Sequence, residues 1–241
     1  MKKNPSMIDD ADMIFVRGIE KTFTLHNQGG IEIPVLRAVS VTARRGECLV
    51  LRGPSGVGKS TLLRALYGNY RIQAGAIWVR HGDHVVDIVG ASPRQVIEIR
   101  RRTIGYVSQF LRAVPRVPAI DVVAEPLIAL GERAAHARDK AAAVLRRMNI
   151  PERLWLLAPA TFSGGQQQRI NVARGLIVDY PILLLDEPTA SLDADNRDVV
   201  GALIGDALRR GACVVGTFHD DALPQALGAK FFEMAALTSA P

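Results

Sequence analysis

The sequence predicts an α/β fold with a largely parallel sheet, and three observations carry that expectation. Strand-like and helix-like segments alternate along most of the 241 residues. A glycine-rich loop, Gly53 to Ser60, stands between an apolar strand and a helical segment. A second apolar run, Ile182 to Leu185, leads straight into Asp186-Glu187, as a strand buried on both faces would. The composition agrees. Hydrophobic residues make up 48% of the chain and charged residues 22%, too apolar for disorder, and the length buries a core without disulfides.

The elements follow in order. Met13 to Ile19 and Val35 to Val41 read as short strands, with a turn at Gly29-Gly30 between them. Glu47 to Arg52 is an apolar strand ending in glycine, and Ser60 to Tyr67 has helical spacing. Ala76 to Val79 and Val85 to Val89 flank His81-Gly82-Asp83-His84, a hairpin signal. From Ala119 to about Met148 the pattern is helical and alanine-rich, and Pro151 and Pro159 bracket a short connection. A helix follows Ser163, then come the Ile182 strand, a helix from about Asp195 to Arg209, and the strand Cys213 to Phe218. Residues 111–161 read as an insertion into one α/β unit.

Composition excludes several classes. Cys48 and Cys213 are too few for a disulfide scaffold and lie in apolar runs, so they read as buried hydrophobes of a reducing, cytoplasmic compartment. No stretch approaches the ~18 apolar residues of a membrane span. Met1 to Ser6 meets Asp9, Asp10 and Asp12 before any apolar core, which is not a signal peptide. The net charge of +6 comes from 24 Arg and 6 Lys against 24 acids. Its clusters (Arg44-Arg45, Arg100-Arg101-Arg102, Arg146-Arg147, Arg209-Arg210) are spread evenly, with 5% aromatics, so no nucleic-acid groove is expected.

Three motifs carry chemistry. Gly53-Pro54-Ser55-Gly56-Val57-Gly58-Lys59-Ser60 matches the phosphate-binding loop in the right setting, strand before and helix after. Its amides and the helix N-terminus face phosphate oxygens, Lys59 reaches the β/γ-phosphates and the Ser60 hydroxyl ligates Mg²⁺. In the second motif, Asp186 and Glu187 are adjacent carboxylates that repel unless a cation lies between them; the plainer reading is two acids capping the next helix. With the loop nearby, Asp186 holds Mg²⁺ and Glu187 polarises the attacking water. The third is Phe162-Ser163-Gly164-Gly165-Gln166-Gln167-Gln168-Arg169, where Ser163 caps a helix. Physics alone leaves open an anion-binding end or a flexible entry.

In this order the residues resemble the nucleotide-binding domain of ATP-binding-cassette proteins. Ser163-Gly164-Gly165-Gln166 is similar to that family's signature motif, and the resemblance covers nearly the whole chain. It implies a P-loop NTPase (RecA-like) core with an antiparallel β-subdomain and an inserted α-helical subdomain at about 111–161, one domain over 1–241. ATP and Mg²⁺ are the implied cofactors. Gly53 to Ser60 and Thr61 would cradle the phosphates, with Ser60, Gln109 and Asp186 at the metal. Gln109 resembles the Q-loop glutamine, His219 the switch histidine at the γ-phosphate, and Ser191-Leu192-Asp193 the D-loop. Phe23 stands where the family places an aromatic on adenine, although Tyr is more usual. Glu187, His219 and Gln109 are the implied catalytic set. The implied partner is a second cassette, identical or related, packed head to tail so that Ser163, Gly164, Gly165, Gln166 and Asp193 complete the other chain's site. The twenty or so residues after His219 leave no room for a C-terminal regulatory domain.

Within the family, Lys21 to His26, Leu66 to Tyr70, Ser108 to Arg112 with Pro115-Arg116, Pro151 to Trp155 and Phe218 to Asp220 are similar to one subgroup. It comprises the ATP-binding PhnL-type proteins of the bacterial carbon–phosphorus lyase system for phosphonate use. That resemblance implies soluble lyase subunits as partners in attaching phosphonate to a nucleotide ribose. The alternative is the ATPase of a membrane transporter, of lipoprotein-export or small-molecule type, with a permease as partner. A nucleotide-switched clamp is a third reading, against which Glu187 argues.

Overall fold

The structure is a computed structural model and describes residues 8–111 and 115–235. The Met1 to Ser6 start and Arg112 lie outside the described residues. In chain order the elements are β1 (Asp12–Leu25), β2 (Ile31–Arg44), β3 (Cys48–Arg52), α1 (Lys59–Leu66), β4 (Ala74–His81), β5 (His84–Asp87), α2 (Pro93–Arg102) and β6 (Ile104–Val107). There follow α3 (Ala119–Ala129), α4 (Ala134–Arg147), α5 (Gly164–Leu176), β7 (Ile182–Asp186), α6 (Ala194–Arg209), β8 (Cys213–Thr217), α7 (Ala222–Ala226) and β9 (Lys230–Glu233).

Two sheets result. One is antiparallel in the order β2-β1-β4-β5, and the other is parallel in the order β6-β7-β8-β3-β9. Strand period divides the interior in two. Cys48, Val50, Leu183, Leu185 and Val214 point to one face, where α3, α4, α5 and α6 pack. Leu49, Leu51, Ile182, Leu184, Cys213 and Val215 point to the other, against α1 and the antiparallel sheet. Both faces of β7 and β8 are therefore covered and every residue in them is buried, which is why they read as unbroken apolar runs. The strand order sets β3 between β8 and β9, so the carboxyl ends of β3, β7 and β8 lie in one row, with Asp186 opposite Thr217. Ligands of open parallel sheets bind at such an edge.

The departures from expectation have physical causes. The long helical pattern from Ala119 breaks after Ala129: Leu130 and Gly131 close a turn, with Gly131 at φ 96°, and α4 starts at Ala134. The connection from 148 to 161 holds only 3-10 turns, at Glu152–Leu154 and Pro159–Thr161. The β1/β2 hairpin is twice the expected length because its outer half is solvent-facing and weakly patterned. The helix α2, with its Ser92/Gln95 capping box, was hidden by a polar face that buries only Ile99. The arginine clusters are mostly ion-paired at the surface, for example Arg44 with Asp12 (3.1 Å), Arg146 with Glu152 (2.9 Å) and Arg210 with Asp179 (2.9 Å). Among the described residues no helix is long and apolar enough to cross a membrane.

Gly75 shows how tightly β4 meets the irregular stretch of β1. It has φ 86°, and a Cβ there would fall 2.4 Å from the Gly18 carbonyl oxygen, a backbone atom. Gly75→Ala is expected to cost about 2 kcal/mol or more, lowering Tm by roughly 5 °C for a chain of this size. Gly82→Ala is the comparison, since Gly82 also has positive φ but open space around it. Thermal unfolding should rank Gly75→Ala clearly below Gly82→Ala; equal losses would leave only the φ penalty and no clash.

Candidate functional site

β3 delivers the chain into the Gly53–Lys59 loop, and α1 begins at Lys59 itself. Two glycines are dictated by space as well as by angle. Gly53 (φ 135°) would place a Cβ 2.7 Å from the Met234 carbonyl oxygen, and Gly58 (φ 105°) one 2.9 Å from that of Val35. The loop thus curls tightly between β9 and β2. Lys59 Nζ folds back on it, donating to the carbonyls of Gly53 (2.7 Å) and Pro54 (2.9 Å). Ser55 and Gly56 are exposed, and Val57 is buried. Thr61 lies in the first turn of α1.

At the end of β7, Asp186 is fully buried and saturated with donors. The Ser60 hydroxyl donates to its Oδ1 (2.8 Å), Thr217 donates to the same oxygen (3.2 Å) and Tyr106 donates to Oδ2 (3.3 Å). Burial first, then the Asp186 charge, push the Tyr106 hydroxyl up to about 12, so it stays a donor. The next residue, Glu187, has φ 54°, a strained angle for a residue with a side chain. Its N–H donates to both the carbonyl (3.1 Å) and the hydroxyl (3.1 Å) of Thr217, and its carbonyl accepts from Gln168 (3.2 Å), which pins that conformation. The carboxylate then faces outward. Gln109 Nε2 donates to Glu187 Oε2 at 3.1 Å, and His219 Nε2 lies 3.1 Å from the same oxygen. Residues 110 apart in sequence therefore converge on one oxygen.

Ser163 caps α5 through a reciprocal box. Its hydroxyl accepts from the Gln166 N–H (3.3 Å) and its own N–H donates to Gln166 Oε1 (3.1 Å). Gly165 has no room for a side chain, because a Cβ would sit 2.9 Å from the Ser191 carbonyl oxygen; at Gly164 the space is open. Ser191, at φ 62°, thereby ties the signature-like turn to the turn before α6, which Asp193 caps by accepting from the Asn196 N–H (2.9 Å). That hydrogen bond holds the Asp193 carboxyl below its ordinary range. Asn171 on α5 donates to the Ser108 carbonyl beside Gln109.

Every expected site residue is among those described. The structure gathers Ser60, Gln109, Asp186, Glu187 and His219 at one edge. Ser163 caps its helix as expected, while two contacts were not expected: Lys59 rests on loop carbonyls and the Gln109 amide on Glu187. Phe23 packs edge-on to Tyr70 (5.2 Å) with Lys21 Nζ 4.7 Å from its ring. Its strand partner is Ile33, two residues from the Val35 that touches Gly58, so it flanks the loop. Sequence reasoning missed Tyr106, Thr217 and Gln168. The signals available were polar residues ending or breaking apolar runs, with Gln168 and Thr217 almost wholly buried.

The donor chemistry at Asp186 suits a hard cation. The Asp186 carboxylate and the Ser60 hydroxyl meet there, and among the described residues no group of three or more His, Cys, Asp or Glu forms a protein cage. A Mg²⁺ held here would draw its other ligands from phosphate and water, as Mg²⁺ prefers.

The parallel order, a phosphate loop beside the strained Glu187 that follows β7, and the glycine pair on α5 define a P-loop ATPase of the cassette kind. The chain belongs to the ABC transporter family, whose model matches residues 36–190. It is 40% identical over 206 residues to the lipoprotein-releasing system ATP-binding protein LolD of Maricaulis maris, covering 85% of this chain and 86% of that one. It is 35% identical to the macrolide export ATP-binding/permease protein MacB of Syntrophobacter fumaroxidans, over 89% of this chain and 29% of that longer one. Its fold matches a dimeric ATP-binding cassette in a post-hydrolysis state bound to ADP and Pi, with TM-score 0.83 at 28% identity, over 92% of this chain and 94% of that one. These relatives overturn the carbon–phosphorus lyase reading. Several residues of the stretches that carried it do scaffold work: Tyr70 packs on Phe23, Leu66 is core, and Trp155 donates to the Ile150 carbonyl beneath Arg146.

Proposed function

We propose that this chain is the ATP-hydrolysing subunit of a membrane transporter, a single nucleotide-binding domain acting on the cytoplasmic side with a permease. The observation that carries the hydrolytic reading is the convergence of Gln109 and His219 on the Glu187 carboxylate beside the phosphate loop. The permease reading is supported by the LolD and MacB relatives, one of which joins cassette and permease in one chain.

ATP would enter over the loop, with adenine toward Phe23 and Tyr70. Lys59 would leave the Gly53 and Pro54 carbonyls for the β- and γ-phosphates, exchanging neutral acceptors for charged ones. Glu187 would accept the proton of the attacking water, oriented by Gln109, while His219 donates to the γ-phosphate oxygens. Ser60, Asp186 and Gln109 would hold Mg²⁺, which when bound neutralises charge on the phosphates. A second copy packed head to tail would supply Ser163 to Gln166 and Asp193 across the nucleotide, and ATP would close the pair until hydrolysis releases it.

Tagged protein purified from detergent-solubilised native membranes should carry an integral membrane protein, and ATP turnover should rise in that complex. Recovery free of any membrane protein, with turnover unchanged by adding membranes, would overturn the transporter reading.

A further inference from the structure

We propose that Arg52 is a positioning residue that holds His219 against Glu187 through Asp221; the proposal rests on the hydrolytic role of His219 given above. Arg52 is the last residue of β3, directly before Gly53. Its main chain is fixed by strand pairing, its carbonyl accepting from Met234 N–H at 2.9 Å. Its guanidinium carbon lies over the Phe231 ring of β9, 3.4 Å from the centroid. So placed, it grips Asp221 with two nitrogens: Nε donates to Oδ1 (3.2 Å) and Nη2 meets Oδ2 (2.6 Å). Glu233 stands further off at 3.8 Å.

Asp221 follows His219 by two residues, on the short segment leading from β8 to α7. The residue between them, Asp220, reaches Arg197 of α6 at 3.5 Å and accepts from the Ala222 N–H at 3.1 Å. His219 is 68% exposed at its side chain and has one partner in the ion-pair geometry, the Glu187 oxygen 3.1 Å away. Little packing holds the ring there, so its place depends on where the segment is tied. The tie at Asp221 is the firm one, because stacking on Phe231 organises the fork before it binds. At 31% and 52% side-chain exposure the pair adds little to stability, so geometry is what it supplies. It also joins the root of the phosphate loop to the histidine segment in one rigid link.

The test compares Arg52→Gln, Asp221→Asn and Arg52→Lys with the parent complex in steady-state ATP hydrolysis, together with His219→Ala and the Arg52→Gln/His219→Ala double variant. Misplacing a reacting group by ~1 Å can cost up to about 100-fold. We expect kcat to fall about 10-fold or more in Arg52→Gln and Asp221→Asn, with KM for ATP and Tm unchanged. Arg52→Lys, which keeps the charge without the fork, should recover part of the loss. In the His219→Ala background Arg52→Gln should have no further effect. Additive losses, a rise in KM at constant kcat, or parental activity in Arg52→Gln would each overturn the proposal. Full activity in His219→Ala would remove the histidine's role and the latch with it. A fall in His219→Ala without one in Arg52→Gln would remove the latch alone.

Discussion

Glu187→Gln is expected to bind ATP as the parent does and to lose about 100- to 10,000-fold in turnover, the range of a general base. The amide keeps the size and planarity of the carboxylate but cannot accept a proton from water. Nothing in the nucleotide cradle changes: the loop, Lys59 and the Ser60–Asp186 hydrogen bond lie on other atoms. The backbone at Glu187 is held by the Thr217 and Gln168 contacts, which on the Glu187 side involve only its main-chain N–H and carbonyl. Binding and chemistry should therefore separate, with Kd retained and kcat lost. A nucleotide titration beside single-turnover hydrolysis checks both; substantial turnover in the variant would remove Glu187 as the base.

Lys59→Ala should do the reverse and lose binding itself. A charge-assisted hydrogen bond contributes about 1.5–3 kcal/mol, so ATP affinity should fall roughly 10- to 150-fold. The free loop also suffers, since Lys59 bridges the Gly53 and Pro54 carbonyls and its loss leaves the curl less organised before ligand arrives. Isothermal titration with ATP reads this directly, and parental affinity would mean that the loop does not hold the phosphates.

Much of the fold was legible because burial on both faces leaves a plain record. The β3, β7 and β8 runs had to be apolar throughout, and the loop after β3 needed glycine at positions 53 and 58, where a Cβ has no space. The fixed spacing of Gly53 to Ser60 and the paired acids after β7 made most of the candidate site readable from local pattern. What escaped was set by contacts far apart in sequence. Thr217 meets Asp186 across 31 residues and Tyr106 meets it across 80, neither implied by its own neighbours. Arg52 and Asp221 are 169 apart, and only the placing of β3 next to β8 and β9 brings them together. The break between α3 and α4 was marked only by the single Gly131, whose positive φ ends the helix in an otherwise alanine-rich run. The subgroup reading failed for a different reason: its stretches mix packing residues such as Leu66 and Trp155 with Gln109 and His219, which the ATP site of the family itself calls for.

The proposed ATP site is shared between two chains, and a cross-link tests that most directly. Ser55 on the phosphate loop is exposed, and a side chain at Gly164 meets open space. The native thiols will not compete, since both are buried, with Cys48 pushed up to about 12 and Cys213 raised too. Ser55→Cys and Gly164→Cys, placed together in the Glu187→Gln background, should form a covalent two-chain species with a short thiol cross-linker when ATP is present and far less with ADP. A one-chain product only, or the same yield with either nucleotide, would contradict a head-to-tail ATP site.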